Sequence, residues 1–416
     1  MKLSTDQTHA LDMVMQFLVD PAEQEMAIWG PAGTGKTVLT KYILRQARKQ
    51  ASMLKLLMGA DHKLNTVLTS TTNKAAKVLA DATGEQARTI HSLLGLRVYN
   101  DYSTGQVTLK RSKDSDVIQN TLIVIDEASM INRELLTIIR SLTHKCKVLY
   151  IGDSYQLAPV MENISPVFSD VSAKVELKTI QRQIQGSPII QFATQFRDAL
   201  DTGNFPHIQG NGKELIYVDG DDFQSLIDIT FPCAEPNDAR IMAWTNNRVH
   251  QYNSYIRHIS NAGDDYQLGE RVLTNQPILM ESGKTIFTTD TICTVTGIAH
   301  AEKEHIKGWE ITLNNKVRIF QAYAQADVVA YLRGLKAEKN WPKYFAVKDG
   351  FADIRPIHAC TVNKAQGSTY GEAFIDLTDI GKCTKNSDII RMLYTAVTRA
   401  KDKVIMTGTL PKRLYE

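Results

Sequence analysis

The segment GPAGTGKT matches the pattern G-x-x-x-x-G-K-[ST] at Gly30, Gly33, Gly35, Lys36 and Thr37. Glycines let the backbone N–H groups of such a loop surround phosphate oxygens, and the following helix adds its positive N-terminal end. The lysine of this pattern reaches the β- and γ-phosphates, and the threonine hydroxyl holds Mg²⁺. The segment therefore predicts a binding site for a nucleoside triphosphate and Mg²⁺.

Two adjacent acids, Asp126 and Glu127, end the apolar run TLIVIDE. Asp126 is expected to hold Mg²⁺, directly or through water, and Glu127 to polarise the attacking water. The alternative is a helix N-terminus that carries acids because the helix dipole favours them. The phosphate loop upstream favours the catalytic interpretation, because hydrolysis needs both parts.

A third candidate, Gln156, lies in GDSYQLAPV after another predicted strand. Its expected role is to sense the γ-phosphate through the attacking water. The alternative is that it is an ordinary polar surface residue, as a lone glutamine in a loop usually is. Together these residues indicate an NTPase. They do not distinguish kinases, motor ATPases and GTPases, which share the same parts.

These residues need a sheet that brings strand ends together. Short apolar runs alternate with helical patterns, and such alternation predicts an α/β fold with a parallel sheet covered by helices on both faces. The predicted strands of the first domain are EMAIWG (25–30), NTVLTS (65–70), TLIVIDE (121–127) and KVLYIGD (147–153). The helix after the phosphate loop is predicted over 37–49, with apolar residues on one face.

The length of 416 residues exceeds one ordinary domain. We predict a first motor domain over 1–170 with a β-hairpin insertion at 95–116. A second α/β domain is predicted over 171–262 and 346–416, interrupted by a small β insertion at 263–345. The hairpin prediction rests on alternating polar and β-branched residues around STG, and the insertion prediction on short strands separated by turn residues.

Bulk composition sets few limits on function. The chain has 48 basic and 45 acidic residues, a net charge of +3, which neither requires nor excludes a polyanionic partner. Five scattered cysteines without a CxxC pair argue against a zinc ribbon or an iron–sulfur cluster and fit a cytosolic compartment. The chain contains no run of 18 apolar residues, so no membrane span is expected.

The order of the motifs resembles that of the superfamily 1 helicases, in particular their RecD-like branch. The core motifs are GPAGTGKT, IDEASM, GDSYQLAPV, VNKAQGS and LYTAVTRAK. Further similar segments are LSTDQ before the first helix, STTNKAAKVL, TIHSLL and LKTIQR. The chain departs from the pattern at Thr71, where the family usually has a proline. The resemblance implies two RecA-like motor domains, with an SH3-like insertion in the second.

The resemblance also assigns roles at the nucleotide. Gln7 would read the adenine, Arg182 and Arg399 would contact the γ-phosphate from the second domain, and Gly367 would bring backbone close to the nucleotide. The catalytic centre would consist of Lys36, Thr37, Asp126, Glu127 and Gln156. An arginine finger is typically worth about 10³–10⁵ in rate. On its own, Arg399 also fits a cation that a helix C-terminus favours.

A translocase must hold its strand with both moving domains. From the first domain the resemblance implies Thr72, Asn73, Lys74, Thr89 and His91 as nucleic-acid contacts; from the second it implies Trp244, Asn246, Thr361, Asn363 and Lys364. These residue types suit phosphates, sugars and base stacking. Alternatives stay open for His91, as a cap or core histidine, and for Trp244, as a core residue. Lys74 and Lys77 could also form a solvated helix face.

The hairpin at 95–116 is expected to act as a pin that separates the strands, with Tyr99 or Tyr102 stacking on the last base pair. The alternative is a plain surface hairpin whose basic residues protect its edges.

The sequence thus predicts an ATP- and Mg²⁺-dependent DNA helicase that moves 5′→3′ on single strands in DNA replication or recombination. Polarity is implied by the resemblance alone. An RNA helicase of the same superfamily and an ATP-switched clamp without unwinding remain alternatives. The expected partners are single-stranded DNA, DNA forks, and single-strand-binding or replisome proteins. A monomer in the cytoplasm of a bacterium or phage-infected cell is expected, without membrane contact.

Overall fold

The structure, a computed structural model, describes residues 2–58, 65–112, 115–159, 161–180, 186–235, 238–260, 263, 265–279 and 285–416. Among these residues, no helix combines the length and the apolar composition needed to span a bilayer.

The first domain is built on one parallel sheet, as the alternating pattern predicts. In spatial order, its described strands are Ala173–Glu176, Glu25–Trp29, Lys147–Gly152, Thr121–Asp126, Asn65–Ser70 and Ala87–Thr89. One face is covered by helices Thr5–Val19, Lys36–Met58 and Asn73–Thr83, and the other by Arg133–Leu142 and Pro166–Asp170. The strand of 173–176 pairs in parallel with the strand before the phosphate loop. The first domain therefore extends past the predicted boundary at 170.

The second domain repeats this architecture. Its described strands, in spatial order, are Leu215–Val218, Ala400–Thr407, Tyr370–Asp376, Ala239–Ala243 and Ala359–Thr361, all parallel. Helices Pro188–Thr202 and Asn386–Val397 pack on one face, and Gly220–Thr230 and Asn246–Ile259 pack on the other.

The insertion in the second domain is antiparallel. Its described main strands, in spatial order, are Val317–Ala322, Ile306–Leu313, Ile292–Lys303, Arg271–Thr274 and Ile354–Pro356. A smaller pair, Ile278–Leu279 with Thr285–Phe287, lies beside them.

Helices were not predicted in the insertion, and its predicted end at 345 is too early. Helices Gln325–Ala337 and Trp341–Gly350 follow the strand of 317–322 and bury Val328, Leu335 and Val347 against Phe320. The strand of 354–356 then pairs with 271–274. The SH3-like description stays a prediction.

The hairpin in the first domain pairs Leu96–Asn100 with Val107–Arg111. Its tip lies on the insertion: the rings of Tyr102 and Phe345 meet edge to face at 5.3 Å, and Asn100 Nδ2 donates to Asp349 Oδ2 at 2.6 Å. Gly105 has a φ of 72°, and a Cβ there would overlap the ring of Trp341. The two insertions are therefore in direct contact.

Candidate active site and nucleic-acid interface

The phosphate loop connects the strand Glu25–Trp29 to the helix Lys36–Met58. Gly33 and Gly35 have φ values of 83° and 75°, in the left-handed region that side chains avoid. Gly30 is needed for space, because a Cβ there would lie 2.5 Å from the carbonyl oxygen of Leu177. Two glycines of the motif are thus required by backbone conformation and the third by lack of space. The helix begins where the phosphates are expected to bind.

Lys36 and Gln7 hold the loop from two sides. Lys36 Nζ donates to the carbonyl oxygens of Gly30 at 2.6 Å and Pro31 at 3.0 Å. Gln7, 2% exposed, donates from Nε2 to the Thr34 carbonyl at 2.9 Å and accepts from the Ser4 backbone at 3.0 Å. Gln7 therefore lies next to the phosphate loop, and its adenine-reading role stays a prediction.

The two acids lie at the end of a central strand. Glu127 adopts a left-handed backbone, with φ 54° and ψ 41°, directly after Asp126. Thr71, at the position where the family usually has proline, donates its hydroxyl to the Glu127 carbonyl at 3.3 Å. Such a conformation is costly for a residue with a side chain and persists only where its surroundings hold it.

Asp126 suits a cation. Burial, reinforced by the Glu127 carboxylate, raises the pKa of the Asp126 carboxyl well above its usual value. A nearby Mg²⁺ would stabilise the charged form of this carboxyl, and Thr37 on the first turn of the helix offers a hydroxyl. These residues fit the predicted Mg²⁺ site.

Gln156 lies in the loop that follows the strand Lys147–Gly152. It is 4% exposed, and its Nε2 lies 3.5 Å from Asp153 Oδ2. Its Oε1 is buried and has no hydrogen-bond partner among the described residues. Buried polar atoms normally have partners, so a bound group that donates to this oxygen fits the prediction of a γ-phosphate sensor.

The second domain contacts this loop through one face of a helix. This contact was not predicted from the sequence. From the helix Asn386–Val397, Arg391 Nη1 donates to the carbonyls of Ser154 at 2.5 Å and Gln156 at 2.9 Å. Tyr394 donates its hydroxyl to Asp153 Oδ2 at 2.7 Å. The sequence signal is the presence of polar residues at i, i+3 and i+4 in the otherwise apolar stretch 389–397.

The three second-domain residues predicted at the nucleotide have different outcomes. Arg399, buried after the same helix, donates to the carbonyls of Thr395 and Ser368, both at 3.2 Å, within its own domain. Gly367, with φ 70°, lies against Ala75 of the first domain, where a Cβ would be 3.1 Å from the alanine Cβ. It therefore provides a close domain contact. Arg182 lies outside the described residues.

The predicted nucleic-acid residues cluster at one edge of each sheet. Four threonines, each at or within two residues of the end of an edge or next-to-edge strand, cap the following helical turn with their hydroxyl oxygens: Thr72, Thr89, Thr245 and Thr361. Thr245 was not predicted, although it stands between a strand and a helix like the others. A hydroxyl that accepts from the backbone retains its own proton to donate, and Thr245 donates this proton to the Asp379 carboxylate at 2.9 Å.

The two predicted lysines are engaged by the protein itself. Lys74 Nζ lies 3.3 Å from the Tyr370 hydroxyl of the second domain. Lys364 donates to Asn275 and pairs with Asp290 of the insertion at 3.7 Å. Both lysines thus lie at contacts between parts of the chain, and their phosphate-binding role stays a prediction.

The remaining predicted contacts differ in exposure. Asn73, Asn246 and Asn363 are exposed, and Asn246 accepts from Arg355 at 3.1 Å. Trp244 is half-buried against the core of the second domain, which supports the core alternative in part. Burial lowers the pKa of His91, because it disfavours the charged form of the imidazole.

The two tyrosines proposed for the pin also differ. Tyr102 is 57% exposed, but its ring contacts Phe345 of the insertion, so it anchors the hairpin. Tyr99 is 50% exposed, and Lys110 Nζ lies 4.2 Å from its ring centroid. Of the two, Tyr99 is the better placed to meet a base.

Comparison with known proteins agrees with this geometry. Residues 18–162 match the AAA domain family, and residues 356–407 match the UvrD-like helicase C-terminal domain. Over 452 aligned residues, the chain is 26% identical to the ATP-dependent DNA helicase dda of Enterobacteria phage T4, covering 96% of this chain and 98% of that protein. Over nearly its full length, the chain is therefore similar to a known ATP-dependent DNA helicase, and its two family matches lie in the two parallel-sheet domains.

Other similarities of the chain are more local or more distant. It is 28% identical over 193 residues to the ATP-dependent RecD2 DNA helicase of Deinococcus radiodurans, covering 46% of the chain and 23% of that protein. A solved structure of the Pif1 helicase from Bacteroides, in complex with ADP-AlF3 and ssDNA, matches with a TM-score of 0.52 and 16% identity. The match covers 100% of this chain and 94% of the Pif1 chain. It confirms the predicted α/β fold with two RecA-like parallel-sheet domains.

Proposed function

We propose that this helicase uses ATP to move 5′→3′ along single-stranded DNA and to separate duplexes during replication or recombination. The observation that carries the proposal is the docking of one second-domain helix on the loop of Gln156, beside the phosphate loop of the first domain. Because nucleotide chemistry occurs at this contact, binding and hydrolysis can act on the relative position of the domains.

ATP hydrolysis needs positive charge around the γ-phosphate and an oriented water. Lys36 supplies a cation from the phosphate loop, and triphosphate oxygens are stronger acceptors than the two carbonyls that it contacts. Glu127 and Gln156 orient the water. Mg²⁺ held by Thr37 and Asp126 would neutralise part of the phosphate charge.

Arg399 completes the proposed charge from the second domain. Its guanidinium bonds two backbone carbonyls, which are neutral acceptors. A γ-phosphate is a stronger acceptor, so we propose that the side chain turns towards it when ATP is bound. ATP then favours the closed domains by its differential contacts, and hydrolysis removes that preference.

A single strand would run across the sheet edges that carry the capping threonines. The first domain contributes Thr72 and Thr89, and the second contributes Thr361. Exposed asparagine side chains lie beside them, Asn73 in the first domain and Asn363 in the second. These groups recognise phosphates and sugars without reading sequence. Two separate binding sites for one strand, one on each domain, allow movement along the strand when the distance between the domains changes.

The direction of movement is proposed from the similarity to the dda helicase. It is tested with two forked DNA substrates that have only a 5′ tail or only a 3′ tail. We expect ATP-dependent displacement from the 5′-tailed substrate only. Displacement from the 3′-tailed substrate alone would overturn the polarity.

The same assay separates the alternative functions. ATP turnover stimulated by single-stranded DNA, without displacement from either fork, would indicate a clamp. Stimulation by RNA well above that by DNA would indicate an RNA helicase, because the 2′-OH is the general feature that distinguishes the two strands.

A further inference from the structure

The helix Asn386–Val397 presents three polar side chains to the first domain. Arg391, Tyr394 and Thr395 occupy positions i, i+3 and i+4, so they share one face. Arg391 bonds the carbonyls of Ser154 and Gln156, and Thr395 Oγ1 accepts from the Leu157 backbone at 3.3 Å. Burying polar groups costs free energy unless they are hydrogen-bonded, so this face requires its first-domain partners.

The Tyr394 hydroxyl joins two nucleotide motifs at once. It is 1% exposed, accepts from the backbone N–H of Ala32 at 2.9 Å and donates to Asp153 Oδ2 at 2.7 Å. Ala32 belongs to the phosphate loop, and Asp153 begins the loop of Gln156. Burial and the Asp153 carboxylate raise the pKa of Tyr394 well above its usual value. The hydroxyl therefore keeps its proton and acts as donor to the carboxylate.

Asp153 connects the Tyr394 hydroxyl to Gln156, because one of its oxygens lies next to both side chains. The carboxylate is fully buried, and its Oδ1 accepts from the Tyr155 backbone at 3.1 Å. Its Oδ2, which holds the Tyr394 hydroxyl, also lies 3.5 Å from Gln156 Nε2. The position of the Gln156 amide therefore depends on a carboxylate whose strongest side-chain partner belongs to the other domain.

We propose that Tyr394 is a positioning residue for ATP hydrolysis, which orients Gln156 and the phosphate loop only while the two domains are docked. The hydroxyl acts through its two hydrogen-bond partners, Asp153 and Ala32. Separation of the domains breaks both hydrogen bonds and frees the glutamine. Hydrolysis is thereby confined to the docked arrangement. This inference deepens the proposed function and rests on its ATP hydrolysis step.

The test is a double-mutant cycle of Tyr394→Phe with Gln156→Ala, followed through steady-state ATP hydrolysis with saturating single-stranded DNA. Tyr394→Phe should lower kcat roughly 10- to 100-fold, the scale of a misplaced catalytic group, and leave KM for ATP within about threefold. Because the hydroxyl acts through Gln156, the double variant should lose far less than the product of the two single losses. A merely structural tyrosine would give that full product.

A matched control removes the same kind of bond elsewhere. Tyr252 donates its hydroxyl to the buried Asp376 at 2.8 Å inside the second domain. Tyr252→Phe should keep the wild-type kcat while it lowers the melting temperature about as much as Tyr394→Phe.

A second variant covers the case in which Tyr394→Phe does not fold. Arg391→Met removes two bonds to the same loop and should show the same kcat loss and the same non-additivity with Gln156→Ala. Wild-type kcat in Tyr394→Phe, or multiplied losses in the cycle, would overturn the proposal. A wild-type protein that hydrolyses ATP without displacing strands would contradict the helicase function only, because the cycle is read through ATP turnover.

Discussion

Lys74 of the first domain places its Nζ 3.3 Å from the hydroxyl oxygen of Tyr370 in the second domain. The guanidinium of Arg240 lies over the same ring, 4.9 Å from its centroid. Two cations therefore share one buried tyrosine at the domain contact, next to the close approach of Gly367 to Ala75. Like charges in such a place oppose each other, so this contact is sensitive to the protonation of Lys74.

A pH dependence of stability follows from Lys74. Burial, with a contribution from the Arg240 charge, lowers its pKa from 10.5 to about 8. In the unfolded chain the lysine keeps its proton up to its ordinary pKa. Between these two values the unfolded state binds more protons, so the free energy of unfolding rises with pH. Wild type should therefore gain melting temperature relative to Lys74→Met between pH 7.5 and about 9.5.

Lys77 provides the control for this measurement, because it is exposed one turn further along the same helix. The difference between wild type and Lys77→Met should not change with pH. If the difference in melting temperature between wild type and Lys74→Met were also independent of pH, the lowered pKa of Lys74 would be wrong. The phosphate-binding role predicted from the sequence would then be favoured.

The contact between the hairpin and the insertion should couple ATP use to strand separation. Gly105→Ala introduces a Cβ that overlaps Trp341, so the hairpin tip must leave the insertion. We expect displacement per ATP hydrolysed to fall about fivefold or more, the lower end of ordinary coupling energies, with ATP turnover retained. The measurement is strand displacement and ATP hydrolysis on the same forked substrate.

Gly84→Ala is the matched control. Gly84 has a φ of 75°, close to the 72° of Gly105, but a Cβ there meets nothing within 4 Å. Both alanines carry the strain of a left-handed backbone, about 1–2 kcal/mol. Equal loss of displacement in both variants would show that strain, and not undocking, causes the effect.

The phosphate-loop lysine is tested by Lys36→Ala. Loss of its cation should lower ATP turnover by at least about 100-fold and abolish strand displacement. Lys41→Ala, an exposed lysine on the same helix, should change neither. Displacement by Lys36→Ala at the wild-type rate would contradict an ATP-driven mechanism.

The sequence predicts those parts of the protein whose pattern is local. Apolar strands followed by glycines or acids identify the sheet of the first domain and the loops at Lys36 and Asp126, because strand order and parallel pairing bring those ends together. Thr37, Glu127 and Gln156 follow from motif position alone.

Contacts between distant segments are not predictable in this way. Tyr394 and Arg391 look like ordinary residues of a buried helix, and only the docked domains reveal their first-domain partners. Lys74 is assigned to nucleic acid by the resemblance alone, whereas its contact with Tyr370, 296 positions away, is visible only in the structure. The helices of the insertion were missed because their apolar residues pack on a sheet that forms from other segments.

The central claim, that a nucleotide in the first domain is hydrolysed with the help of a cation from the second, is tested most directly by Arg399→Ala. The measurement is ATP turnover with saturating single-stranded DNA, together with the affinity for a fluorescent ATP analogue. We expect the affinity of Arg399→Ala for the ATP analogue to be nearly unchanged and its ATP turnover to fall by about 10³-fold or more. Turnover within a few-fold of wild type would contradict the claim.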